Sequence, residues 1–450
     1  MAPTREIEPS DRLVVGVALD GAGWHPAAWL DADSAPESLF TPDYWTRLIV
    51  VADDAGLDFA TFEDALRLRS FGSVSSPEEA LRTSTTERDA HAIDPAGSGA
   101  RPEAVEGRLD ALLTASLLGP RTHRIGLIPT VTTTHTEPFH VATALQTLDF
   151  VSQGRAGWQL RISADAATEA NFGRHRLPRV EPANVIAGRP DAVLDELLDD
   201  AAESAEVARL LWDSWEDDAV IRDVSTGRFL DRNRVHRIDF EGTHFSVVGP
   251  SIVPRSPQGQ IPVTLLSHSP RVHALAAAVA DVVFVTPENE AVAAGASRGS
   301  SVADIVREVR EAEASSGRVE RGLAPLRIVA DLVVALDDSS ERAADRLARL
   351  DALAGSPLSS DARIFTGSVS EAATLIQRWK SDGIDGVRLR PVSLPTDLRR
   401  IADELLPELR SRGLAADAAP EGRSLREAFA LAPAANRFTA RTTETQEVAA

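Results

Sequence analysis

Nearly unbroken apolar runs of strand length alternate with segments whose apolar positions recur at helical spacing. Residues 13–19 form the first such run, and residues 44–55 the first amphipathic segment, stopped by Gly56. The same alternation predicts strands over 58–62, 124–128, 157–162, 261–266, 282–285, 326–336 and 386–389. It predicts helices over 109–118, 139–151, 194–212, 271–280, 339–353, 371–381 and 398–412. Pro129 is expected to end the third strand, because proline cannot donate to a ladder. Residues 235–248 read as a hairpin with Gly242 in its turn. Residues 65–107, rich in Ser, Thr, Glu, Pro and Gly, read as a long excursion. The tail from Ala415 reads as irregular, with 439–450 disordered.

Strands apolar on both faces, each followed by a helix, are the signature of a parallel sheet. Eight such units predict an α/β fold, a closed (β/α)8 TIM barrel with insertions at about 65–107 and 220–258. The barrel is expected to be one domain over 1–414, followed by a C-terminal extension over 415–450. No GxGxxG follows the first strand, so the dinucleotide-binding alternative lacks its fingerprint. Barrel chemistry sits at the C-terminal ends of the strands. That rule directs attention to 20–25, Glu63 and Asp64, 130–135, 163–165, 267–271, 286–289 and 391–394.

Composition narrows the chemistry. The 450 residues carry a formal charge of −21, which argues against nucleic acid or an anionic membrane as the main partner. There is no Cys, so disulfides, thiolate metal sites and a cysteine nucleophile are excluded. Lys380 is the single lysine, which leaves little room for a Schiff-base mechanism. The start has neither a basic nor an apolar leader region, and the longest apolar stretch, 272–285, is broken by Asp281. A cytoplasmic protein is expected.

Two strand ends carry candidate binding groups. Ser267-His-Ser-Pro-Arg271 opens a helix, with Ser269 at the N-cap and Pro270 at the first helical position. Helix N–H groups together with Arg271 suit an anion; a plain cap without a ligand reads equally well. Thr130-Val-Thr-Thr-Thr-His135 places hydroxyls at a barrel mouth, where they serve either a polar ligand or simple turn chemistry. The histidines form no HxxxH or HExxH pair, so no metal is expected. His25, after the first strand, is a catalytic candidate or packs on Trp24. The segment 211–218, rich in Trp and Asp, reads as a helix end packed on the barrel.

Several segments, in order, resemble one group of the bacterial luciferase-like flavin-dependent monooxygenases. The group comprises nitrilotriacetate monooxygenase, dibenzothiophene-sulfone monooxygenase and pristinamycin synthase. The segments include Ile125-Gly-Leu-Ile-Pro-Thr-Val-Thr-Thr-Thr-His-Thr-Glu-Pro-Phe139, Leu148-Asp-Phe-Val-Ser-Gln-Gly-Arg-Ala-Gly-Trp158 and Leu211-Trp-Asp-Ser-Trp215. The resemblance implies reduced FMN as cosubstrate, supplied by a separate NAD(P)H:flavin reductase, and O2 as the oxidant of a small organic substrate. It also implies a homodimer. By position it implies flavin contacts from Asp64, Thr132 and Thr133, from Gln159 in place of an Asn amide, and from Ser269 near the phosphate. His25 and His135 are the candidates for the catalytic edge of the flavin. The family's His-x-x-x-Tyr pair is absent: Leu194 and Leu198 stand there, and the only tyrosine is Tyr44. Two alternatives follow, a non-catalytic binding or partner subunit with a degraded flavin site, and a deazaflavin-dependent reductase.

Overall fold

The structure, a computed structural model, describes residues 12–68, 105, 107–164, 166–172, 191–288, 300–321 and 323–439. Among these, nine parallel strands form one sheet: β1 (Val14–Leu19), β2 (Phe59–Phe62), β3 (Gly126–Thr132), β4 (Trp158–Arg161), β5 (Val263–Ser267), β6 (Val282–Val285), β7 (Arg327–Leu336), β8 (Arg363–Gly367) and β9 (Gly386–Pro391). β1 to β7 and β9 close a ring, with β1 pairing β9 and β2, and β7 pairing β6 and β9. β8 lies outside the ring, beside Leu332–Leu336 of β7, where β6 has already ended. The eight-stranded barrel expected from the alternation is therefore present.

Most boundaries fall within two residues of expectation. The first helix spans Pro42–Ala55 and ends at Gly56. One difference is Pro129, which lies within β3 rather than ending it. Pairing with Gln159–Arg161 of β4 begins at Thr130, so the strand continues past the missing N–H. The helix Val302–Ser315 and β8 were not foreseen. The 220–258 insertion holds two hairpins, Val220–Asp223 with Arg228–Leu230 and Phe240–Glu241 with Ser246–Val247. Most of the 65–107 excursion, and 440–450, lie outside the described residues. The tail from Ala415 to 439 is not loose. A short helix, Leu425–Ala428, seats Leu425 and Phe429 against the barrel's N-terminal end.

The barrel interior has two layers. The lower is apolar: the Phe59 ring meets Phe284 at 5.9 Å and Phe429 at 5.3 Å. Gly16 is required here, because a Cβ would sit 2.3 Å from the Phe59 ring. The upper layer is ionic and forms the floor of the mouth. Outside the ring, Trp212 packs edge-on to Trp158 and donates to the Ala142 carbonyl at 3.1 Å, as expected of a helix end on the barrel. Arg155 ties the β4 approach by donating to the carbonyls of Gly119, Thr122 and Ile125.

Candidate active site

The mouth is built from the segments that follow the strands. After β1, Gly23 has φ 138°, and a Cβ there would lie 2.4 Å from the Val392 carbonyl oxygen. That close approach lets Trp24 N–H donate to the Pro391 carbonyl at 2.8 Å and His25 N–H to that of Val392 at 3.1 Å. The Tyr44 hydroxyl donates to the Gly21 carbonyl at 2.8 Å, so the single tyrosine serves this loop. His25 is buried. Its Nδ1 accepts from Ala27 N–H at 3.0 Å, which leaves the proton on Nε2, facing Asp351 at 3.0 Å. Burial lowers its pKa, opposed by Asp351. Both ring nitrogens are thus committed to the turn.

After β2, Asp64 accepts from Ala65 N–H at 2.6 Å and Ala111 N–H at 3.1 Å, joining the strand end to the helix Ala111–Leu118. Burial raises its pKa, opposed by these donors. At the end of β3, Thr132 and Thr133 are buried, and the Thr133 hydroxyl donates to the Arg161 carbonyl at 3.3 Å. His135, in the following turn, stacks on Phe172 with ring centroids 5.0 Å apart.

Gln159 of β4 enters the ionic floor. Its amide donates to Glu63 at 3.3 Å and its carbonyl accepts from Arg388 at 2.6 Å. Arg388 and Arg390 are two residues apart on β9, so both point into the barrel. Arg388 holds Asp331 of β7 through two bonds of 2.7 and 2.6 Å, and its guanidinium lies 3.9 Å over the Phe284 ring. Arg390 reaches Asp331 as well and donates to Asp361 at 2.6 Å. Arg161 approaches Glu63 at 3.7 Å and donates to the Asp64 carbonyl at 2.8 Å. Three carboxylates therefore face three guanidiniums. Burial pushes Glu63 and Asp361 upward, yet Arg388 on the former and Arg390 on the latter outweigh it, holding Glu63 below the usual range and Asp361 at about 2.

The relay reaches the surface at His268, after β5. Its Nε2 lies 3.4 Å from Asp361, and its Nδ1 lies 2.9 Å from the Thr286 hydroxyl. The ring keeps about a third of its surface open to the mouth. The surrounding protein still lowers its pKa through desolvation, opposed by Asp361. Sequence reasoning placed His268 and Glu63 at strand ends but missed Arg388, Arg390, Asp331 and Asp361. The alternation Val387-Arg-Leu-Arg390 was the available signal.

Ser269 occupies the N-cap of the helix Pro270–Val279, but its hydroxyl makes no capping bond. The sequence expectation of Ser269 as N-cap thus holds for the backbone and not for the side chain. Arg271 pairs with Asp195 at 2.9 Å, while its Nη1 is buried without an acceptor. Asp195 belongs to the helix Ala192–Asp213, whose first turns carry Leu194 and Leu198 in the same neighbourhood. Among the described residues no cluster of His, Asp or Glu could hold a metal ion, and no helix is long and apolar enough to cross a membrane.

Residues 22–385 match the sequence profile of the family described as luciferase-like monooxygenase. The chain is 27% identical to the N-acetyl-S-(2-succino)cysteine monooxygenase of Bacillus subtilis (strain 168), over 95% of this chain and 98% of that protein. It is 30% identical to nitrilotriacetate monooxygenase component A of Aminobacter aminovorans, over 62% and 54%. In structure it resembles a long-chain alkane monooxygenase with a TM-score of 0.71 at 22% identity, over 93% and 95% of the two chains. The profile takes in seven of the eight ring strands and most of the mouth they build, and the chain belongs to the luciferase-like monooxygenase family.

Proposed function

We propose that the protein is a flavin-dependent monooxygenase that uses reduced FMN and O2 to oxygenate a small organic molecule. Reduced flavin comes from a separate NAD(P)H:flavin reductase, and the enzyme works as a homodimer. The observation that carries this reading is the unspent donor set beside β5. The Ser269 hydroxyl is outside the helix cap, and Arg271 Nη1 is buried without an acceptor. An N–H-rich helix start with a hydroxyl and a guanidinium fits a phosphate. Ser269 and Arg271 would hold that end of FMN, with Thr132, Thr133 and Asp64 beside the ring system. When bound, reduced FMN supplies the electrons by which one oxygen atom enters the substrate and the other leaves as water. Gln159 stiffens the floor rather than offering a free amide, because both its ends are bonded. Of the two histidines, His135 is the better candidate for the reacting edge, since His25 is spent on its turn.

A second reading, a family member that has lost flavin and serves as a binding or partner subunit, is favoured by Leu194 and Leu198 and by the Asp195–Arg271 pair. Titration with FMN, reduced FMN and a reduced deazaflavin, followed by O2 uptake with a flavin reductase, separates the readings. Binding of reduced FMN with O2 uptake supports the first. Failure to bind either FMN state sinks it, and selective binding of the deazaflavin replaces it with a reductase.

A further inference from the structure

At the opposite end of the barrel, below the N-terminal ends of β1, β7 and β9, lies a cavity of about 300 Å3. That is at the lower end of the range for small-molecule sites. The C-terminal segment over 416–430 forms one wall, mostly alanines with Phe429. The barrel supplies the others, with Asp58, Arg327 and Asp385 at strand starts and Arg12 at the rim.

The polar groups in this cavity are unevenly matched. Asp58 accepts from Val15 N–H at 2.8 Å and from Arg423 at 2.5 Å. Asp385 accepts from Ile328 N–H at 2.8 Å and from Arg327 at 3.2 Å. Glu427 is held in the capping box of its own helix. The inner acceptors are therefore satisfied. The donors are not: the Nε–H groups of Arg12 and Arg423 are both buried without an acceptor. An orphaned buried donor is costly, and two beside one cavity point to an acceptor that enters it. A guanidinium is matched best by a carboxylate.

We propose that this cavity binds a small carboxylate with a short apolar body, its oxygens on Arg12 and Arg423 and its body against Phe429 and the alanine wall. The site is separate from the mouth, a strand length away along β1, and does not depend on the flavin reading. In a chain of charge −21, an anion has little affinity for the general surface, so binding here is specific.

The test is calorimetric titration of the full chain with hexanoate and benzoate, with hexanamide and benzamide as uncharged controls. The carboxylates are expected to bind and each amide to bind at least about tenfold more weakly, the worth of one charged hydrogen bond. Arg12→Gln is expected to weaken the carboxylates by a similar factor. Ala416→Phe, which fills the cavity, is expected to abolish binding. Unchanged circular dichroism and melting temperature establish that both variants fold. If Ala416→Phe fails to fold, competition of benzoate against hexanoate, with Arg12→Gln as control, serves in its place. No carboxylate binding up to millimolar concentration means the cavity holds water only and overturns the proposal. Equal binding of the amides, or binding unaffected by Arg12→Gln, overturns it as well.

Discussion

Removing Arg388 tests whether the floor of the mouth is a single electrostatic unit. Arg388 is fully buried, with Asp331 on two of its nitrogens and Gln159 on a third. Arg388→Met keeps much of the volume over Phe284 but leaves three carboxylates facing two guanidiniums. Breaking one side of a buried pair costs about 3–5 kcal/mol, mainly because the other charge is left uncompensated. Asp331→Leu should cost at least as much, since both Arg388 and Arg390 lose a partner, although each keeps one in Gln159 or Asp361. The double variant returns the floor to balance, with Glu63 facing Arg161 and Asp361 facing Arg390. Its cost should fall short of the summed single costs by about 1–3 kcal/mol, the range for directly coupled residues. Equilibrium urea unfolding followed by tryptophan fluorescence measures all three, with refolding checked in each case. Additive costs, or a single-variant cost under about 1 kcal/mol, would refute the reading and mean that water screens these charges.

Three further outcomes follow from the geometry. Leu194→His with Leu198→Tyr should raise FMN affinity more than about a hundredfold, because two hydrogen bonds to a charged acceptor are worth roughly 1.5–3 kcal/mol each; unchanged affinity by fluorescence quenching, with the fold intact, counts against a phosphate site at that helix. Burial, reinforced by His268, pushes His273 down to about 4, so it is neutral in the folded state. Stability present above pH 6.5 is then lost as pH falls toward 4, by on the order of 3 kcal/mol, and His273→Gln should flatten that slope in urea titrations across the window. Gly23→Ala should lower the melting temperature, because the new Cβ meets the Val392 carbonyl at 2.4 Å where φ is 138°; scanning calorimetry showing no change would mean that the β1 and β9 loops move apart freely.

The barrel was legible because strands of a closed parallel sheet are apolar on both faces, and every ring strand left such a run. β8 left none, since its five residues are half-buried and pair on one side only. The helix Val302–Ser315 buries only Val302, Ile305 and Val309 in a segment otherwise rich in Glu and Arg, so its narrow stripe went unread. At the mouth, the strand-end rule placed Asp64, Thr132, Thr133 and Ser269. It could not place Arg388, Arg390 or Asp331, which lie within strands, where burial argues for apolar residues. Their pairing was also beyond reach: Arg388 lies 57 positions from Asp331 and 229 from Gln159, and only barrel closure joins them.

That closure changes what the charges mean. The chain's −21 suggests a molecule that repels anions, and a row of arginines inside the barrel suggests the opposite at its mouth. Neither holds locally, because Glu63, Asp331 and Asp361 match Arg161, Arg388 and Arg390 one for one. A floor so balanced offers no spare counter-charge along the barrel axis, and an anion placed there would have to displace a carboxylate already bonded at both oxygens. Off the axis, Arg271 keeps one buried nitrogen without an acceptor, beside a hydroxyl not used as a cap. An anionic group at this mouth is therefore driven to the start of the helix Pro270–Val279, and the uncharged part of the same ligand is left over the floor. Leu194 and Leu198 act on the first half of that division alone, so their replacement should change how tightly the anion is held without moving the floor beneath it.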